Sequence, residues 1–363
     1  MKSLKIGKYE IKYPIFQGGM GLGISWDKLA GNVSLNGCLG IVSSVGTGYY
    51  ENRKYITKEI NAKPFGSENF YSKAGLEAII KNARKICGDL PIGVNIMYAA
   101  SDYARVVRDA CEAGINIIVS GAGLPTNLPE FTVEFKDIAL VPIVSSAKAL
   151  KIICKRWATR YNRLPDAVVL EGPLSGGHQG FTYEQCSDPA YQLENLIPQV
   201  KEEIKAWGDF PLIAAGGIWD HDDILKMMSL GANGVQMATR FIGTYECDAA
   251  QGFKEILLDC TKEDIKLIKS PVGYPARGIR TNLIKLVENN AGPKIHCISN
   301  CVTPCHRGEG SRRVGYCIAD RLADAYNGIK ETGLFFTGAN GYRLKKLIPV
   351  KELIKKLVYG ENS

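Results

Sequence analysis

Thirteen residues bring together a carboxylate, several glycines and a histidine: Val168-Val169-Leu170-Glu171-Gly172-Pro173-Leu174-Ser175-Gly176-Gly177-His178-Gln179-Gly180. His178 is one of only four histidines in the chain. An imidazole exchanges a proton near neutral pH, and glycines at 172, 176 and 177 let backbone approach a ligand with no Cβ in the way. The run from Asp166 to Leu170 reads as a buried parallel strand, so the histidine follows a strand's C-terminal end, where α/β folds keep their chemistry. His178 is therefore a candidate catalytic residue. The plain alternative is a loop histidine bonded to its own turn.

Other residues at strand ends could hold a ligand. Ala214-Ala215-Gly216-Gly217-Ile218 and Gln236-Met237-Ala238-Thr239-Arg240 follow the last two apolar runs of the series. Small residues there suit a phosphate held by backbone N–H groups, and hence a phosphate-bearing cofactor. Gln17-Gly18-Gly19-Met20-Gly21-Leu22-Gly23 is dense in glycine but does not fit G-x-G-x-x-G, which argues against a dinucleotide site. Asn95 ends a third run with an amide that can both donate to and accept from a flavin-like heterocycle, or simply cap the strand. Lys148 could reach a ring oxygen or a phosphate, or be a solvated charge at a helix start. Glu171 could bind a ribityl hydroxyl or a ring edge, or cap its own loop.

Cys297, Cys301, Cys305 and Cys317 form a C-x3-C-x3-C-x11-C series. The spacing is neither that of paired C-x2-C zinc ribbons nor that of the ferredoxin run. Three readings stay open: a [4Fe–4S] cluster on four thiolates, zinc with His296 or His306 as substitute ligands, or plain thiols.

The elements that must position these groups are eight short apolar runs separated mostly by helical patterns. The runs are 11–17, 38–43, 91–96, 115–121, 139–145, 167–171, 212–216 and 234–239. Strands alternating with helices imply parallel βα units, and eight of them imply a closed TIM barrel. Helices over 101–113 and 220–230 begin on capping residues and run into Gly114 and Gly231. Residues 46–72 and 173–190 are insertions on the C-terminal face. The expected division is a barrel over 1–260 and a Cys-rich, then basic, extension over 261–363, packed on the barrel. The segment from Tyr342 to Val358 reads as a packed C-terminal helix with a charged outer face.

The length suits a single α/β barrel with additions. The 363 residues are 45% hydrophobic, enough for a large core. No apolar run approaches a membrane span and the start lacks a secretory pattern, so a cytoplasmic protein without membrane insertion is expected. Eleven dispersed cysteines in such a chain do not suggest a disulfide framework. The net charge of +8 favours an acidic partner, and no nucleic-acid-binding signature accompanies it. Association with further copies of the chain is left open.

Gln17-Gly18-Gly19-Met20, Gly93-Val94-Asn95, Gly176-Gly177-His178, Ala215-Gly216-Gly217-Ile218 and Gly234 to Phe241 occur in the order that marks the nitronate monooxygenase superfamily. The chain resembles that group of FMN-dependent TIM barrels, which includes nitronate monooxygenases and flavin-dependent enoyl-ACP reductases. The resemblance implies FMN bound by Gly18, Gly19, Met20, Asn95, Glu171, Gly176, Gly177, Gly216, Gly217, Gln236, Met237, Ala238 and Thr239, with His178 as catalytic base. The family often carries Gln where Glu171 stands and Gly where Ala238 stands. Gly172 to Phe181, Ser270 to Arg277 and the stretches Ser299 to Cys305 and Gly315 to Asp320 resemble its FabX-type acyl-ACP dehydrogenase/isomerase branch. That branch implies FMN with an iron–sulfur cluster, and acyl-carrier protein as the carrier of the substrate. It also implies oxidation of a medium-chain saturated acyl group to the trans-2-enoyl form, isomerisation to cis-3, and oxygen as electron acceptor.

Overall fold

The computed structural model describes residues 1–51, 70–293, 295, 301–305 and 314–360. Eight parallel strands form its centre: β1 (Ile15–Gln17), β2 (Gly40–Ser43), β3 (Ile92–Met97), β4 (Ile117–Gly121), β5 (Ala139–Val144), β6 (Val168–Glu171), β7 (Leu212–Ala215) and β8 (Gly234–Met237). Their order is β1-β8-β7-β6-β5-β4-β3-β2. The ring closes where Gln17 N donates to Leu39 O at 2.9 Å and Leu39 N to Ile15 O at 2.9 Å. The chain is a TIM barrel, and each of the eight expected runs holds one strand.

These runs are apolar on both faces because both faces are buried. Phe16, Ile41, Ile117, Val119, Val141, Val169 and Ile213 fill the interior, while Val42, Val94, Ile118, Leu140, Leu170 and Val235 pack outward against helices. The first run is shorter than expected. Residues Tyr9–Ile11 pair instead with Leu4–Ile6 in an antiparallel hairpin, and Pro14, which lacks an N–H, separates the hairpin from β1. Leu4, Ile6 and Ile11 of the hairpin join the interior cluster.

The outer helices are α1 (Asp27–Leu35), α2 (Lys73–Cys87), α3 (Tyr103–Glu112), α4 (Ala147–Tyr161), α5 (Leu193–Lys205) and α6 (His221–Ser229). Side chains of Ser72, Ser146 and Asp220 accept from the N–H groups of Gly75, Ala149 and Asp223, satisfying donors that a first helical turn leaves free. After β4 a 3-10 turn, Leu128–Thr132, replaces a helix.

The chain leaves the barrel after β8 and returns at its end. In between come α7 (Gln251–Asp259), β9 (Ile265–Lys269), β10 (Pro275–Ile279), α8 (Asn282–Glu288) and α9 (Ile318–Tyr326). Then α10 (Val350–Tyr359) packs against α1 and α6, in the place of the barrel's eighth helix. Its Val350, Leu353, Ile354, Leu357 and Val358 belong to the layer between strands and helices. The segments on either side of residue 260 pack together. Phe253 and Leu257 of α7 share one apolar cluster with Ile279, Phe335 and Leu344 from beyond it.

Candidate active site

The strand-end residues converge on one cavity of about 510 Å³ at the C-terminal face of the barrel. His178 lines it. The short strand Gly177–His178 is paired to β10, with Ala276 opposite His178 and Arg277 opposite Gly177. The Arg277 guanidinium is buried and donates to the carbonyl oxygens of Pro173 and Ser175, which fixes the approach to the histidine. Gln179 N donates to Pro275 O at 2.8 Å on the other side. The imidazole therefore stands on a sheet rather than on a free loop. Its Nε2 lies 2.7 Å from Ser270 Oγ, and the Phe336 ring meets it edge-on at 5.3 Å and 72°.

Burial lowers the His178 pKa to about 4, so the ring is neutral and able to accept a proton at neutral pH. Burial also raises the Glu171 pKa to about 7. Both side chains keep some surface toward the cavity, so a ligand that displaces water there would enlarge both shifts. For His178 the sign is clear: a base works when neutral, so kcat/KM should fall with decreasing pH through about 4, not through its ordinary 6.5. A pH–rate profile whose acid limb sits at 6.5 and is lost in His178→Gln would contradict this environment.

The cavity wall contains Gly18, Gly19, Met20, Asn95, Glu171, Gly176, Gly177, Gly216, Gly217, Gln236, Met237, Ala238 and Thr239 together. Gln236 Oε1 is buried without a partner among the described residues, an acceptor that a ligand donor would satisfy. Gly216 and Gly217 have φ of 99° and 81°, and a Cβ on Gly216 would meet Gly172 O at 2.8 Å. The protein's own backbone thus demands glycine there, whatever it binds. Lys148 is not brought in: it is exposed on the first turn of α4, while its neighbours Ser145, Ser146 and Ala149 line the wall.

Cys301 lines the cavity beside Val302 and Pro304. That segment is held to the loop after β3, with Thr303 N donating to Ala99 O at 3.0 Å. Cys317 is buried at the start of α9. Burial raises the pKa of the buried Tyr49 phenol, with smaller contributions from Asp320, Cys317, Asp324 and Cys301. Cys297, His296 and His306 fall outside the described residues. Among those described, no group of three or more His, Cys, Asp or Glu could hold a metal ion.

A family model described as nitronate monooxygenase matches residues 2–360. The chain belongs to the nitronate monooxygenase family. It is 28% identical over 324 residues to a probable nitronate monooxygenase of Staphylococcus saprophyticus, covering 85% of this chain and 87% of that protein. A probable nitronate monooxygenase of Staphylococcus aureus (strain N315) is 26% identical over 298 residues, 78% of this chain and 79% of that protein. Among solved structures, FabK from Thermotoga maritima matches with TM-score 0.71 and 24% identity over 97% of this chain and 93% of its own. A nitroalkane oxidase from Streptomyces ansochromogenes matches at 0.68 and 21%, covering 95% and 94%. These two show the same fold. As a nitronate monooxygenase family member the protein is an oxidoreductase.

Several residues around this family member's site were given no role by the sequence, although the stretch from Ser270 to Arg277 carried part of the resemblance. Ser270, Arg277, Phe336 and Asn340 come from the excursion after β8, and their spacing to His178 follows no motif. Asn340 Nδ2 donates to Gly217 O at 2.6 Å, and Gly338 N donates to Thr239 Oγ1 at 2.8 Å. The excursion thereby braces both loops expected to face a phosphate. Among the described residues no helix is long and apolar enough to cross a membrane.

Proposed function

We propose that this family member uses FMN to oxidise a medium-chain saturated acyl group, such as decanoyl, carried as a thioester on acyl-carrier protein. The product is the trans-2-enoyl thioester, then isomerised to cis-3. The observation that carries this reading is the cavity wall beyond the cofactor residues: Val302, Ile318, Leu322, Leu334 and Phe336 line it with apolar surface suited to an alkyl chain. FMN fits the remaining wall, since Gln236 offers an unpaired acceptor and the glycines at 216 and 217 expose backbone. Gly18, Gly19, Met20, Asn95, Glu171, Gly176, Gly177 and Gln236 to Thr239 would complete its site.

When bound, FMN supplies a two-electron acceptor for hydride. His178 removes the proton α to the thioester as hydride leaves the β carbon, and molecular oxygen takes the two electrons and two protons as hydrogen peroxide. For the double-bond shift the same imidazole takes a proton from C4 and returns one to C2. The apolar wall would exclude water and hold the chain beside His178. The experiment is anaerobic incubation of purified holoprotein with decanoyl-ACP: flavin bleaching supports the reading, and an unchanged flavin spectrum overturns it.

Oxidation of a nitronate is the second reading, favoured by the curated relatives' names. A nitronate needs the flavin and the base but not the long apolar wall. Aerobic oxygen uptake with a propyl nitronate, without bleaching by decanoyl-ACP, would select it.

The cysteine series is a separate proposal. Four soft thiolates at 297, 301, 305 and 317 suit a [4Fe–4S] cluster. The three that are described do not form a ligand set, so no reaction step is routed through a cluster. Anaerobically purified protein should contain about four irons and four labile sulfides per chain. Stoichiometric zinc without sulfide, or single Cys→Ser variants that keep all their iron, would refute it.

A further inference from the structure

Glu171 is the one carboxyl group on the cavity wall among the described residues. It ends β6 two residues after Val169 of the interior cluster, so both side chains point toward the barrel axis. Opposite it on β7 stands Ala215, and opposite Ala215 on β8 stands Gln236, which places the carboxyl in the ring of strand ends at the mouth. The methyl group next door offers it no donor. No hydrogen bond or ion pair reaches the carboxyl among the described residues, and burial alone raises its pKa, to about 7.

The charges nearby leave it alone. β5 and β7, on either side of β6, carry no titratable residue. Glu194, Lys201, Glu202, Glu203 and Lys205 belong to α5, which packs on the outer side of the strand. Arg277 reaches the loop after β6, but its guanidinium donates to Pro173 O and Ser175 O. The other titratable groups of the wall are Tyr274, Cys301 and His178, and burial keeps the imidazole neutral. Among the described residues no Lys or Arg side chain lines the cavity.

FMN adds negative charge, because the second ionisation of a phosphate monoester, at about 6, is complete above neutral pH. Filling the cavity also takes water from Glu171. An ionised carboxylate that loses its water and gains no cation is costly enough that the group neutralises instead. Once neutral it is an O–H donor, which an ionised carboxylate cannot be. We propose that Glu171 binds FMN as a neutral carboxylic acid, taking up a proton when the cofactor enters and losing it on release. This rests on the reading of the cavity as an FMN site. Linkage sets the sign: the bound state has the higher carboxyl pKa, so binding is strongest below about 7 and weakens as pH rises from there toward the bound value.

Holoprotein diluted at a series of pH values releases FMN, which is read by its recovered fluorescence. The dissociation constant should rise at least about tenfold between about pH 7 and pH 9, and release at about pH 8 should free about one proton per FMN, read with a pH indicator in weak buffer. Glu171→Gln is neutral at every pH. It should give a flat profile and hold FMN more tightly than wild type at the alkaline end. The variant keeps Tyr274 and Cys301, so a slope that survives in it would assign the proton elsewhere and overturn the proposal. A flat wild-type profile would overturn it as well. The infrared spectrum of wild-type holoprotein should also contain a carboxylic C=O band that disappears as FMN leaves, which keeps the test decisive if the variant does not fold; absence of that band counts against the proposal. Protein that holds no FMN at any pH would sink the FMN reading itself, a result distinct from tight binding that ignores pH.

Discussion

His178→Ala should purify yellow and lose turnover by at least about 10²-fold, the scale of a positioned acid–base group. The imidazole is the histidine ring of the cavity wall, and burial leaves it neutral at the pH where it must accept a proton. Its removal should spare the fold. The strand pairing of Gly177–His178 to β10 is made by backbone, and Arg277 and Gln179 hold the loop independently of the ring. The hydrogen bond lost is the one to Ser270. Flavin content and thermal midpoint close to wild type, together with the loss of turnover, are the expected pattern. A variant with intact FMN and near-wild-type activity would end the assignment of His178 as base.

Gly216→Val and Gly217→Val should each purify flavin-poor and less stable. Both glycines have positive φ, a conformation that costs a residue with a Cβ roughly 1–2 kcal/mol. A Cβ on Gly216 also meets Gly172 O at 2.8 Å and Ser175 N at 3.1 Å, and one on Gly217 meets Leu174 Cβ at 2.9 Å. Those contacts would push apart the loops after β6 and β7 that line the cavity. Gly231→Val separates the two effects, because Gly231 has φ of 110° but only Lys201 Cγ near its Cβ position, at 3.9 Å. It should lose stability and keep its flavin. Flavin absorbance per chain and thermal midpoints decide the matter: full occupancy in both Gly216→Val and Gly217→Val would show that these loops do not cradle the cofactor.

Alternating apolar runs and turn glycines were sufficient to read the barrel, because parallel strands buried on both faces must be continuously apolar and each must be followed by a polar or glycine-rich connection. The same locality made His178, Asn95, Glu171, Gly216, Gly217 and Gln236 legible: each sits at the end of its own strand, and barrel closure gathers strand ends at one mouth. Lys148 shows the limit of that logic, since a residue one position into a helix points by helical phase, and here the phase turns it to solvent. What tertiary structure alone decided is how the chain after β8 is used. The pairing of β10 with the histidine strand joins residues about a hundred positions apart, and no spacing in the sequence encodes that register. Likewise α10 carries an ordinary amphipathic pattern, which specifies a buried face but not its neighbours; only packing between α1 and α6 makes it the barrel's eighth helix. Ser270 and Phe336 reach the imidazole for the same reason. Local sequence fixes which residues can form strands, helices and turns, while contacts between distant segments depend on the closed barrel that brings them to one face.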